Sequence, residues 1–126
     1  MALRPNNAVY PDKGGDSVST LSTHVLDTAL GKPAQGIKVT LECADDLVGS
    51  GVTDADGRVR DLHKKDSQLS QGSYRLTFYV GDYFSKAGRE SFFPEIVIDF
   101  RISDGAEHYH IPLLLTPFGY STYRGN

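Results

Sequence analysis

Ile37-Lys38-Val39-Thr40-Leu41-Glu42-Cys43 alternates apolar and polar residues without a fault. Successive side chains of an extended chain point to opposite faces, so this stretch reads as a strand with one face on a core and the other toward water. A strand cannot satisfy its own backbone N–H and C=O groups, and the rest of the sequence supplies its partners almost wholly as further strands. Leu21–Asp27, Val48–Thr53, Ser73–Val80 and His108–Ile111 are extended candidates, and Ile96–Ile102 sets Ile96, Ile98, Phe100 and Ile102 on one face. Turn signals separate them at Asp27–Pro33, Asp54–Gly57, Asp104-Gly105 and Thr116–Gly119, and Tyr120–Arg124 forms a last strand. Asp82–Gly88 reads as one or two turns of helix, with Asp82 as N-cap and Gly88 as stop. Residues 60–72 are strongly polar and hold at most a short edge strand. The expectation is an all-β, two-sheet antiparallel sandwich of seven to eight strands with one short helix.

Thirteen glycines, six prolines and thirteen Tyr and Phe residues without tryptophan suit short strands joined by tight turns. With 126 residues the chain has room for one core, so residues 20–126 are expected to form a single domain. Residues 1–19, rich in Pro, Asn, Asp, Gly and Ser, read as a flexible arm. Net charge is −3, which leaves no basic field for nucleic acid or an anionic membrane. No apolar run reaches spanning length, and Met1–Asn7 has no apolar segment of secretory type, so the cytoplasm is the expected compartment. The single cysteine, Cys43, falls on the apolar face of its strand and is expected to be a buried, inert thiol.

Few residues remain that could carry chemistry. His63 sits among Lys64, Lys65 and Asp66 and reads as solvated. His108 and His110, two apart on a strand, share a face and have the spacing of a zinc-ligating pair, though no third ligand is evident. His24 and His110 each lie opposite core-like neighbours, Val25 in one case and Tyr109 and Ile111 in the other. No Gly-x-Ser-x-Gly is present, and Gly31-Lys32 lacks the rest of a phosphate loop. His24, Arg58, His110 and the tail Tyr123-Arg124-Gly125-Asn126 form a set that could polarise a carbonyl and activate water.

Ser22-Thr23-His24-Val25-Leu26-Asp27 with Gly31-Lys32-Pro33-Ala34, then Asp56-Gly57-Arg58, then Tyr109–Leu115 and Tyr120–Gly125, resemble the transthyretin-like 5-hydroxyisourate hydrolases of urate degradation. The resemblance runs from about Leu21 onward. It implies a transthyretin-like sandwich assembled as a homotetramer, with active sites in a channel between dimers. It implies hydrolysis of the C6 carbonyl–nitrogen bond of 5-hydroxyisourate to 2-oxo-4-hydroxy-4-carboxy-5-ureidoimidazoline, with no metal or organic cofactor. By the same resemblance His24, Arg58 and His110 are catalytic, and Arg58, Tyr123 and Asn126 hold substrate. Asn126 stands where the family has serine. Which histidine acts as base stays open at this level. Two other readings stand beside the enzyme: a transthyretin-type small-ligand carrier, which would need an apolar channel, and a zinc-binding module resting on His108 and His110.

Overall fold

A computed structural model describes residues 19–63, 69–103 and 107–126. In chain order its elements are β1 (Thr20–Asp27), β2 (Lys32–Pro33), β3 (Lys38–Cys43), β4 (Asp46–Val52), β5 (Arg58–Val59), β6 (Gly72–Phe78), α1 (Val80–Lys86), β7 (Ile96–Ile102), β8 (His108–Thr116) and β9 (Gly119–Thr122). One sheet runs β2-β1-β8-β9, with β5 also paired to β1, and the other runs β4-β3-β6-β7. Leu21 and Val25 from β1 and Leu113 and Leu115 from β8 meet Val39, Leu41, Leu76 and Phe78 from the second sheet, all essentially without solvent contact. Removing that apolar surface from water drives the two sheets together.

β1 and β7 follow the alternation, whereas in β3 the polar Thr40 is buried between Val39 and Leu41, so that strand is covered on both faces at its centre. β7 occupies the expected residues, with Ile96 and Ile102 buried and Ile98 and Phe100 half-buried on the same face. Among the described residues there are nine strands instead of seven or eight, because β2 and β5 are two-residue strands too short for periodicity to reveal. The pairing is antiparallel throughout except between β1 and β8, which run parallel over eight residues from Thr20↔His108 to Asp27↔Leu115.

Several local expectations are corrected. The helix begins at Val80 with Tyr79 at the N-cap position, and Asp82 lies inside the first turn. Burial of Val80 and Phe84, one helical turn apart, sets that start. Gly88, with φ 66, does end the helix. Cys43 is half-buried, because β3 closes there into a turn through Ala44 and Asp45. Both turn residues have positive φ, 52 and 69, as a two-residue hairpin of type I′ requires, although neither is the glycine or asparagine that usually marks one. His63 is half-buried, and its Nδ1 is shielded with no hydrogen-bond partner among the described residues. Leu62 holds this stretch against β1 through its N–H to the Leu21 carbonyl.

Of the expected arm only Ser19 is described; it is buried and bridges to Leu69. Residues 1–18, the Asp104-Gly105 turn and Lys64–Asp66 lie outside the described residues. No described helix is long and apolar enough to cross a membrane.

Asp27 fastens the end of β1. Its carboxylate is fully buried and accepts bonds from Leu30 N–H, Tyr83 O–H and both terminal nitrogens of Arg89, the shortest at 2.7 Å. Burial alone would raise its pKa, but the bonds from Arg89, Tyr83 and Leu30 outweigh it and leave the carboxyl below its ordinary value.

Candidate active site

The outward face of the first sheet collects the polar side chains. In β1, Leu21, Thr23, Val25 and Asp27 are buried, which turns Ser22 and His24 outward. In β8 the buried Tyr109 and Ile111 turn His108 and His110 the same way. The parallel register sets Ser22 beside His110 and Thr20 beside His108. On the other side of β1, the pairing with β5 sets Arg58 beside His24, and directly paired residues share a face.

Arg58 is delivered by a tight turn. Asp54 Oδ1 accepts the N–H groups of Asp56 and Arg58 at 2.9 and 3.0 Å, closing the turn through its own side chain. Those bonds, that from Arg58 first, lower the Asp54 pKa. Gly57, with φ 78, lets the turn press on β1, where its carbonyl accepts Val25 N–H at 2.7 Å; a Cβ there would lie 2.4 Å from Val25 O.

A chain of hydrogen bonds crosses from β8 to β1 and back. Thr20 Oγ1 lies 2.6 Å from His108 Nδ1, and Ser22 Oγ lies 3.0 Å from His108 Nε2 and 2.8 Å from His110 Nδ1. His110 is half-buried, and its pKa is lowered by burial first and then by the charges of Arg58, His108 and His24, with a hydrogen bond to Ser22 acting the other way. Burial and these charges both favour the neutral imidazole, with Nε2 as the ring nitrogen outside the bond to Ser22. A cleft of about 180 Å³ opens beside it, lined by Ser22, Thr23, Arg58, Val59, Arg60 and His108. Among the described residues no carboxylate lines this cleft and Arg58 and Arg60 do, so it suits an anionic or carbonyl-bearing guest. His108 is the one imidazole among these described lining residues; His110 adjoins it through Ser22, and His24 is paired with the lining residue Arg58. A larger, open hollow of about 730 Å³ on the second sheet is lined by the Arg75–Asp99 ion pair and by no described histidine, which favours the first sheet as the reactive face.

The tail returns over this face. Thr122 Oγ1 donates to the Pro112 carbonyl, and Gly125 N–H donates to the His110 carbonyl at 2.7 Å. Gly125 passes so close to His110 that a Cβ there would lie 2.8 Å from its ring carbon Cδ2 and 3.3 Å from Pro112 Cγ.

The structure thus brings His24, Arg58 and His110 onto one face and lays Gly125 on the His110 ring. Tyr123 lies in the link between β9 and Gly125, 57% exposed, and Asn126 is exposed beyond it. Arg124 turns elsewhere: it pairs with Glu107 at 2.9 Å, and its guanidinium lies 4.4 Å from the centre of the Tyr109 ring. Among the described residues no third ligand joins His108 and His110 in a metal-binding group. Sequence reasoning missed the part played by Ser22, which links the two histidines, and Arg60, whose proximity depends on β5 pairing with β1.

Comparison with known proteins agrees with this architecture. The family model described as HIUase/Transthyretin family matches residues 21–125. A Salmonella dublin protein named 5-hydroxyisourate hydrolase is 46% identical over 110 residues, covering 84% of this chain and 80% of its own length. The structure of Klebsiella pneumoniae 5-hydroxyisourate hydrolase superposes with a TM-score of 0.78 at 44% identity, covering 86% of this chain and 94% of that one. Sea bream transthyretin, solved in complex with thyroxine, superposes with a TM-score of 0.76 at 30% identity, covering 84% and 94%. The chain belongs to the HIUase/transthyretin family.

Proposed function

We propose that the protein hydrolyses 5-hydroxyisourate, opening its six-membered ring at the C6 carbonyl–nitrogen bond to give 2-oxo-4-hydroxy-4-carboxy-5-ureidoimidazoline. The observation that carries this reading is the outward face of the first sheet, where His24, Arg58 and His110 stand together, in a chain 46% identical to a protein named for that activity. A carrier of an apolar ligand, the reading that sea bream transthyretin would suggest, calls for an apolar lining instead.

In this reading the flat, polar substrate lies against Arg58, whose planar fork suits paired hydrogen bonds to its oxygens and stabilises charge growing on the C6 oxygen. Neutral His110 takes a proton from water at Nε2, and the hydroxide so generated attacks C6. His24, opposite Arg58, serves the second proton transfer, to the departing ring nitrogen. Tyr123 and Asn126 hold the substrate from the tail side. The residues act without a metal or organic cofactor.

Assembly completes the proposal. Leu26 and Leu114 lie half-buried on the same face as the histidines, which gives this surface reason to be covered by a copy of itself. We assign a homotetramer with its sites in the channel between dimers, acting in the cytoplasm. Freshly made 5-hydroxyisourate, followed by its absorbance decay with and without the protein, tests the activity. A decay equal to the spontaneous one would remove the hydrolase reading, and a fully active monomer in sedimentation would remove the tetramer.

A further inference from the structure

Hydrolysis of a ring amide at neutral pH has an unbalanced proton. Water gives its oxygen and, formally, one hydrogen to C6 as a carboxylic acid, and its other hydrogen to the departing nitrogen. The acid then ionises, and the departing ureido nitrogen is too weakly basic to keep the extra proton. One proton per turnover must therefore leave a site whose base, His110, is half-buried under Gly125.

We infer that Ser22 and His108 form a proton relay that carries this proton from His110 to solvent and fixes which His110 nitrogen is free to act as base. The inference rests on the hydrolase reading above. The contacts are consecutive: His110 Nδ1 to Ser22 Oγ at 2.8 Å, Ser22 Oγ to His108 Nε2 at 3.0 Å, and His108 Nδ1 to Thr20 Oγ1 at 2.6 Å. Imidazole and hydroxyl each donate and accept, so the chain has two complete orientations. In the first, His110 Nδ1–H donates to Ser22, Ser22 O–H donates to His108 Nε2, and His108 Nδ1–H donates to Thr20, which leaves His110 Nε2 as an acceptor facing substrate. When Nε2 takes a proton, Nδ1 releases one to Ser22, Ser22 passes its own to His108 Nε2, and His108 gives up the proton on Nδ1. No proton is created or lost, and His110 ends neutral in the other tautomer. Once product has left, Nε2–H passes its proton to water and one proton entering at His108 Nδ1 runs back through Ser22, which restores the first orientation and leaves one proton released per turnover.

The far end of the chain is open, since His108 is exposed and lines the cleft together with Ser22. The charged groups around it fit the task. Arg58 and His24 from β5 and β1 discourage a lasting positive charge on His110, and Glu107, which precedes His108, is already paired with Arg124. His108 is exchangeable with buffer; Ser22, between the two rings, is a positioning residue.

The test uses the full chain with Ser22→Ala, Ser22→Thr and His108→Gln. In dilute buffer, kcat for 5-hydroxyisourate is expected to fall by roughly tenfold or more in Ser22→Ala and His108→Gln, below the 10²- to 10⁴-fold typical of a whole acid–base contribution. KM and melting temperature should stay near those of the native protein, and Ser22→Thr should keep most of the rate. Added imidazole buffer, after subtraction of spontaneous decay, should restore kcat of His108→Gln in a saturable way. Unchanged rates in both variants, or a loss that no buffer restores, would overturn the relay. A second measurement needs no turnover: ring ¹⁵N shifts should report His110 mainly as the Nδ1–H tautomer in the native protein and lose that preference in Ser22→Ala. An unaltered tautomer would also overturn it. If the native protein fails to accelerate decay, the hydrolase reading fails, and the ring shifts still decide whether the chain of bonds is made.

Discussion

Gly125→Ala is expected to damage catalysis far more than folding. The added Cβ would stand 2.8 Å from His110 Cδ2, with Pro112 Cγ and Cδ at 3.3 and 3.4 Å closing the side along which the tail could slide. Carbon atoms rest at about 3.5–4.0 Å, so the ring or the tail must yield by roughly 0.7 Å. The ring is tethered through Nδ1 to Ser22 at 2.8 Å, and a shift of that size away from Ser22 takes the bond to the limit of hydrogen-bond range. A misplacement near 1 Å can cost about 10²-fold, so kcat is expected to fall by roughly 10- to 100-fold, or about 1.4–2.8 kcal/mol of barrier. Gly125 does not have a positive φ, so no backbone strain enters. If the tail yields instead, the chief loss is its bond to the His110 carbonyl, a net of about 0.5–1.5 kcal/mol. Initial rates of 5-hydroxyisourate decay, read beside a thermal melt, separate the two costs. A variant whose kcat stays within twofold of the native value would refute the claim that the tail positions His110.

His24→Ala, Arg58→Ala and His110→Ala are each expected to lose most activity with melting temperatures near native, because all three side chains lie on the outward face; unfolding of any of them would make that residue structural. Asp27→Ala should cost about 3–5 kcal/mol in urea unfolding, since it leaves the Arg89 guanidinium without its buried partner. The native stability that Asp27 provides should be fully present above its unfolded pKa of about 3.9 and be lost as pH falls through the lower folded value; acid titration of native and Asp27→Ala proteins should therefore converge at low pH. For His110, also lowered, the neutral form is the folded one, so its stabilisation is present above about pH 6.5 and fades as pH falls through the folded pKa; His110→Ala should flatten that part of the stability profile. Asn126→Ser should change the rate by less than roughly tenfold, under about 1.4 kcal/mol, because the amide also offers a donor and an acceptor; native protein inactive until given serine would show that the hydroxyl is essential.

Much of the fold was legible where one side-chain period recorded one buried face. Ile96 to Ile102 is such a stretch, and the outward placing of His24 and His110 followed from Val25, Tyr109 and Ile111 by the same rule, whereas in Lys38 to Cys43 the polar Thr40 is buried as well. Periodicity names a face and not a neighbour. It therefore could not reveal that β1 pairs with β8, that the pairing is parallel, or that Ser22 would fall between His108 and His110. The short pieces β2 and β5 carry too few residues for any period, yet β5 decides where Arg58 stands. The start of α1 was misread because burial of Val80 outweighed the capping preference of Asp82. The motif in the tail pointed to chemistry, while the turning of Arg124 toward Glu107 depended on where β8 begins.

The parallel pairing of β1 with β8 also orders events in time. Ser22 and His110 are 88 residues apart, whereas β3, β4, β6 and β7 find all their sheet partners among themselves. Closing so long a loop is slow relative to local pairing, so the second sheet can assemble while β1 still waits for its neighbour. On the ribosome β1 emerges early and keeps that edge unpaired until β8 is made, which makes this interval the one most exposed to aggregation. No partly folded species can hold the reactive face, and turnover during refolding counts only molecules that have finished.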